Sequence, residues 1–210
     1  MKKIFLFMAV SLALWELTAC EQHTDEFDNS PKVGSVLLSN GTVVSPYGLK
    51  TNSLPPVGVI FYAVKDTVLI VGTKELGCYA YADSLGSISG VTNDFTSLCG
   101  TENTAAIMAS GISSPAVNAI CGYSSYLSSW ALPSAGELRA LSASLPIVSH
   151  TMKLIGGDDF QQGQYVSSSG DGTSSESEQM YYYSVSLQGH YVTSTIKTTP
   201  GLVRPILRLH

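Results

Sequence analysis

The chain has 210 residues, a formal net charge of −5 and only 13% charged side chains. So acidic and sparsely charged a chain lacks the basic surface that a phosphate backbone demands, which argues against nucleic acid as a partner. The length suits one domain with a single sizeable core.

Met1-Lys2-Lys3 is a short basic start, Ile4 to Leu14 is an almost unbroken apolar run, and Leu17-Thr18-Ala19 places small residues before Cys20. That order has the form of an export signal, residues 1–19, cut before a cysteine that takes acyl chains. The apolar run is too short to persist as a membrane-spanning helix. Acyl chains contribute about 0.8 kcal/mol per buried methylene, so several on Cys20 hold a soluble domain on a membrane. Residues 20–32 carry Glu21, Asp25, Glu26 and Asp28 without an apolar run and read as a solvated tether. Acidic residues directly after the lipid-bearing cysteine resemble a surface-display signal of one group of Gram-negative bacteria. The expected address is therefore the outer membrane, with exposure on the cell surface as a hypothesis. Loss of Lys2, Lys3 and Glu16 with the signal leaves a net charge of about −6.

The domain is expected over residues 33–210. Val33 to Val44 contains the turn dipeptide Asn40-Gly41 and predicts a small hairpin or first edge strand. Val57 to Val64 and Thr67 to Gly72 are β-branched apolar runs around Lys65-Asp66, expected as paired antiparallel strands at the centre of the sheet. Cys78 to Gly100 reads as a long irregular connection. Asn103-Thr104 is positioned to cap a helix over Ala105 to Ala109, and Ser113-Ser114-Pro115 opens one over Ala116 to Tyr126. Ser134 and Glu137 form a capping box ahead of Leu138, Leu141 and Leu145 at helical spacing. Tyr183 to Leu187 and Tyr191 to Thr193 alternate as strands around Gln188-Gly189, and Leu202 to Leu209 makes a final strand interrupted by Pro205. Strands, then helices, then strands imply an α+β domain.

With Cys20 acylated, Cys78, Cys99 and Cys121 remain, and one disulfide plus one buried thiol is the simplest expectation in an oxidising compartment. Their spacings of 21 and 22 residues match no zinc pattern. Gly122-Tyr123-Ser124-Ser125-Tyr126 lacks the second glycine of a nucleophile elbow. His23 and His210 fall in the tether and at the end, leaving His150 and His190, which fit ordinary surface roles. Asp158-Asp159 reads as turn chemistry rather than a calcium loop, and no phosphate-binding or dinucleotide glycine pattern occurs. These observations give no support for catalysis, a metal or a cofactor.

Trp130-Ala131-Leu132-Pro133-Ser134-Ala135-Gly136-Glu137-Leu138 resembles the Lcl C-terminal domain family, in which Trp-x-Leu-Pro-(Ser/Thr)-x-x-Glu-Leu opens a helix. Pro56 to Phe61, Glu102 to Ile107, Pro115 to Cys121, Tyr165 to Ser169, Tyr183 to Leu187, Lys197 and Val203 to Ile206 follow the family's order. The chain departs from it at Val166, where the family carries Trp, and at Gly170, where an insertion reaching Gln179 displaces a Glu. The resemblance implies a C-type-lectin-like fold: a twisted antiparallel sheet with two or three helices and long irregular loops. It also implies a binding module rather than an enzyme. The Glu-Pro-Asn, Gln-Pro-Asp and Trp-Asn-Asp motifs of calcium-dependent sugar binders are missing, so recognition of a protein or glycan is expected to be calcium-independent. Some related domains carry a C-terminal stretch varied by diversity-generating retroelements, and Tyr181 to Thr199 has a similar palette and place.

Tyrosine offers a rigid ring with a polar tip, and Ser and Thr offer small adaptable hydrogen-bonding groups, the mixture that paratopes favour. The candidate ligand surface is Tyr181, Tyr182, Ser184, Ser186, Gln188, His190, Tyr191, Thr193 and Thr195. Trp130, Ser134, Glu137 and Arg204 are assigned structural roles: Trp130 in the core, Ser134 and Glu137 as the cap, and Arg204 as a partly buried cation paired with a carboxylate such as Glu137. The expected function is an envelope lipoprotein that binds a protein or glycan, as an adhesin or fimbria-associated component. A purely structural envelope protein is the first alternative. An enzyme on a formylglycine-generating-type scaffold is the second.

Overall fold

The computed structural model describes residues 30–51, 53–123 and 125–209; the signal segment and Cys20 lie outside them. The unit from Pro31 onward is a mixed α+β domain built on two five-stranded sheets, rather than the single sheet expected.

Gly41 adopts φ +86, the left-handed conformation that glycine tolerates at a hairpin turn, and β1 (Val36–Leu38) pairs antiparallel with β2 (Val43–Val44) around it. β3 (Pro56–Val64) and β4 (Thr67–Gly72) pair around Lys65, which has φ 51. The end of the chain is not one strand. β9 (Pro200–Leu202) joins the second sheet, β10 (Ile206–Leu209) pairs with β4, and Val203–Pro205 carries the chain between them. Pro205 needs no amide donor in that crossing, and its carbonyl accepts the Gly72 N–H at 2.9 Å. The first sheet thus runs β10-β4-β3-β1-β2, with β3 at its centre.

The second sheet adds β5 (Cys78–Ala80), β6 (Gln164–Gly170), β7 (Tyr181–Ser186) and β8 (Tyr191–Ile196), in the order β5-β9-β6-β7-β8. Only the β6–β9 pairing is parallel.

α1 (Gly100–Ala109) begins earlier than the Asn103-Thr104 cap implied, and both residues are buried within it. Their side chains are used laterally instead: Asn103 Oδ1 accepts the Thr92 N–H, and the Thr104 hydroxyl donates to Gly100 and accepts from the Leu132 N–H. α2 (Pro115–Cys121) carries its cap at Ser114, as expected, but stops at Gly122 rather than continuing to Tyr126. α3 (Ala135–Leu154) has the full capping box of Ser134 and Glu137 and continues through Pro146. A short helix, α4 (Ser175–Met180), fills the stretch before β7.

α3 is the wedge between the sheets. Leu138, Leu141, Val148 and Met152 pack with Val59, Phe61, Leu69 and Val71 of the first sheet and with Tyr165, Val185 and Leu187 of the second. Each such side chain contributes about 1.5–3 kcal/mol on burial. A second cluster joins Tyr81, Ile107, Val117, Ile120, Val166 and Tyr182. A Cβ on Gly136 would lie 2.5 Å from the carbonyl oxygens of Thr96 and Ser97, so glycine lets the start of α3 close onto that loop.

Three structural expectations are corrected. Trp130 packs against two core clusters as expected but is half-buried rather than enclosed: its ring covers Gly58 and Gly72, and its indole N–H donates to the Leu127 carbonyl at 3.0 Å. Arg204 is fully buried and pairs with Glu75, not Glu137, because the crossing from β9 to β10 sets it beside the β4–β5 connection. Glu137 instead faces Arg208, at 3.6 Å. The expected disulfide is absent: Cys78, Cys99 and Cys121 are all free thiols on separate elements, with Cys78 and Cys121 exposed. Burial pushes the Cys99 thiol up to about 11, helped by the nearby Glu137 carboxylate.

Candidate functional site

In an antiparallel pair, directly opposed residues share a face. The β7–β8 register sets Tyr182 against Thr195, Ser184 against Thr193 and Ser186 against Tyr191, which puts six of the nine candidate residues on one face. β6 extends it, because Gln164 lies opposite Ser186. Gln164 is part of this surface although the sequence reading passed over it. The stretch it opens, Gln-Tyr-Val-Ser-Ser-Ser-Gly, does not alternate, so no local period marked it as part of the face.

The face is linked by its own hydrogen bonds. The Ser184 hydroxyl meets Thr195 Oγ1 at 2.7 Å and donates to Gln164 Oε1 at 3.2 Å, while Gln164 Nε2 donates to the Tyr191 hydroxyl at 3.0 Å. The chain Thr195–Ser184–Gln164–Tyr191 therefore holds four side chains in fixed relative positions. Tyr191 remains 53% exposed and Thr193 is exposed, so the open end of the row presents a ring edge, hydroxyls and an amide without a formal charge.

Several candidates do not face solvent. Tyr182 is a core residue, stacked on Tyr81 with ring centroids 5.0 Å apart. Burial raises its hydroxyl above the ordinary phenol range. Ser184 and Ser186 are buried, and Ser186 is committed to the turn, accepting the Gly189 N–H at 3.0 Å. Tyr181 lies on the opposite face, against Ile196. Gln188 and His190 are exposed in the turn; Gln188 donates to the Gln161 carbonyl at 3.0 Å. His190 has φ 57, and its Nδ1 meets the Ser142 hydroxyl of α3 at 2.6 Å. Ser142 also donates to the Leu187 carbonyl, so the β7–β8 turn is fastened to α3.

The other face anchors the strands. Val185 packs into the α3 core, Tyr183 meets Phe95 edge to face, and the Ser194 hydroxyl donates to Asp171. Although burial opposes it, hydrogen bonds from Ser194 and Thr173 hold the Asp171 carboxyl below its ordinary value. Ser167, Ser168 and Ser169 are wholly buried: Ser167 donates to the Tyr183 carbonyl, Ser168 accepts from the Asn103 amide, and Ser169 accepts the Ala135 N–H. The serine run is a knot joining β6, β7, α1 and α3. Among the described residues no group of three His, Cys, Asp or Glu side chains could hold a metal ion, and no helix is long and apolar enough to cross a membrane.

Compared with known proteins, the chain matches no family model, no curated protein and no solved structure.

Proposed function

We propose that the protein is a lipid-anchored ligand-binding module of the bacterial outer membrane, displayed at the cell surface, with a C-type-lectin-like fold related to the Lcl C-terminal domain family. The observation that carries this reading is the hydrogen-bonded polar face of β6, β7 and β8, whose exposed end is formed by Tyr191, Thr193 and Gln164. A rigid tyrosine beside short hydroxyls loses little conformational entropy on binding and adapts its hydrogen bonds to protein or glycan groups alike. Gln188 extends the surface into the turn, while Ser184 and Thr195 support it from behind. The absence of formal charge along this row favours a neutral or mixed-charge partner over a polyanion. The Ser142–His190 contact pairs a hydroxyl with an exposed base, but Ser142 is buried and donates its proton to the Leu187 carbonyl, a fastening of the turn that supports recognition over catalysis. A purely structural envelope role is favoured by one observation, the internal use of the Ser184 hydroxyl.

Glycan and protein arrays probed with wild type, Tyr191→Ala and Thr193→Ala distinguish these readings. The binding account expects a wild-type signal reduced about tenfold or more by Tyr191→Ala, at an unchanged melting temperature. Flat and equal signals from all three proteins would retire it.

A further inference from the structure

The outermost strands of a sheet keep backbone groups without ladder partners, and three of the four edges in this domain are short or covered. β2 has two residues and β5 three, while β10 is bridged at Ile206 by Ala131 and carries Arg208. β8 is the exception. Its six residues, Tyr-Val-Thr-Ser-Thr-Ile, pair with β7 without a bulge and include neither a charge nor a proline, the usual devices that blunt an edge. The register points the backbone N–H and C=O groups of Val192 and Ser194 away from β7, and among the described residues these groups bond to nothing. Ser194 is exposed, so the row opens to solvent. Outward groups recur at every second residue, about every 6.8 Å along the strand.

We propose, resting on the ligand-binding role proposed for the β6–β8 face, that the β8 edge receives an extended segment of a protein partner, which joins the second sheet as a sixth strand. The backbone row selects the class. A polypeptide in the β conformation carries donors and acceptors at the same repeat, and a glycan has no such row. The added strand also continues both faces: its residues opposite Thr193 and Thr195 lie beside those threonines, and its residues opposite Val192 and Ile196 lie beside apolar side chains. Ile196 is 41% exposed and open to such a neighbour. The segment therefore alternates hydrogen-bonding and apolar side chains. A second copy of β8 shares that alternation but is disfavoured by charge. Self-pairing centred on Ser194 draws together two Asp171 carboxylates, each accepting its own Ser194 hydroxyl, and like charges facing each other across strands oppose pairing.

The test selects short peptides on the nitrogen-15-labelled protein from a displayed random library, and follows the synthesised peptides by amide hydrogen exchange. A selected peptide is expected to slow exchange at Val192 and Ser194 about tenfold or more. Methylating the peptide's own amides at alternate positions should weaken binding about tenfold in the set that faces β8 and leave it within about twofold in the other set. The protein is unaltered in that comparison, so a lost fold cannot produce the difference. Selected peptides that leave exchange at Val192 and Ser194 unchanged, or equal binding by both methylated sets, would overturn the proposal. So would protection of those amides in the free protein that grows with its concentration, the mark of a second copy. Glycan-array binding that Tyr191→Ala reduces, with no peptide slowing these amides, removes the added strand while the β6–β8 face keeps its binding role; absence of both signals removes the two together.

Discussion

Arg204 has no solvent exposure, and its guanidinium is satisfied by two carbonyls, one carboxylate and the face of Phe160. Truncation leaves Glu75 buried beside an empty space, so Arg204→Ala should lower stability by about 3–5 kcal/mol in urea unfolding; a loss below about 1 kcal/mol would contradict the buried-pair account. Burial holds the Glu75 carboxyl above its ordinary 4.5 in spite of Arg204 and the hydrogen bond from Tyr165. Well below 4.5 the group is protonated in both states; as pH rises the unfolded chain ionises first, so the stabilising contribution is lost as pH climbs through the folded value. The stability difference between wild type and Glu75→Gln should therefore shrink as pH rises above about 4.5. Unfolding curves at a series of pH values check this, and a difference that widens contradicts it. The sequence reading identified Arg204 as a structural cation but gave it the wrong carboxylate. Glu75 follows β4 and carries no local pattern, so only the crossing of the final segment between sheets brings the pair together.

At the level of elements, local signals transferred well and lateral ones did not. The Ser134–Glu137 box, the Asn40-Gly41 turn and the Lys65-Asp66 turn are set by contacts within a few residues, and each forms where the sequence placed it. Asn103 and Thr104 have the chemistry of caps yet serve neighbouring segments, which a reading of adjacent residues cannot anticipate. Period-two alternation placed Tyr191, Thr193 and Thr195 on one face, but alternation does not say what covers that face. Tyr182 and Ser184 are consequently interior. This difference is measurable: Ser184→Ala removes buried hydrogen bonds and should cost about 1–2 kcal/mol, whereas Tyr191→Ala should stay within roughly 0.5 kcal/mol of wild type. Thermal and urea unfolding of the two variants provide the comparison, and equal losses would mean that Tyr191 is as structural as Ser184.

Across the whole molecule, the mixed α+β class was readable from the order of strands and helices, while the division into two sheets was not. It depends on the chain leaving one sheet at Leu202 and entering the other at Ile206, with α3 wedged between. The proposed membrane attachment belongs to the same scale. Cys20→Ala should abolish incorporation of labelled palmitate and release the protein from the membrane fraction; continued acyl labelling would contradict the anchor. The central physical claim is that β7 and β8 form a preordered polar face before any ligand arrives. The register, with the Lys197 N–H bonded to the Met180 carbonyl, makes Tyr191, Thr193 and Thr195 the residues whose backbone bonds to β7 and points the N–H groups of Val192 and Ser194 away from it. Amide hydrogen exchange of the ligand-free protein tests it directly. Slow exchange at Thr193 and Thr195 beside fast exchange at Val192 and Ser194 is the expected pattern, and uniformly fast exchange along β8 would contradict a preformed surface.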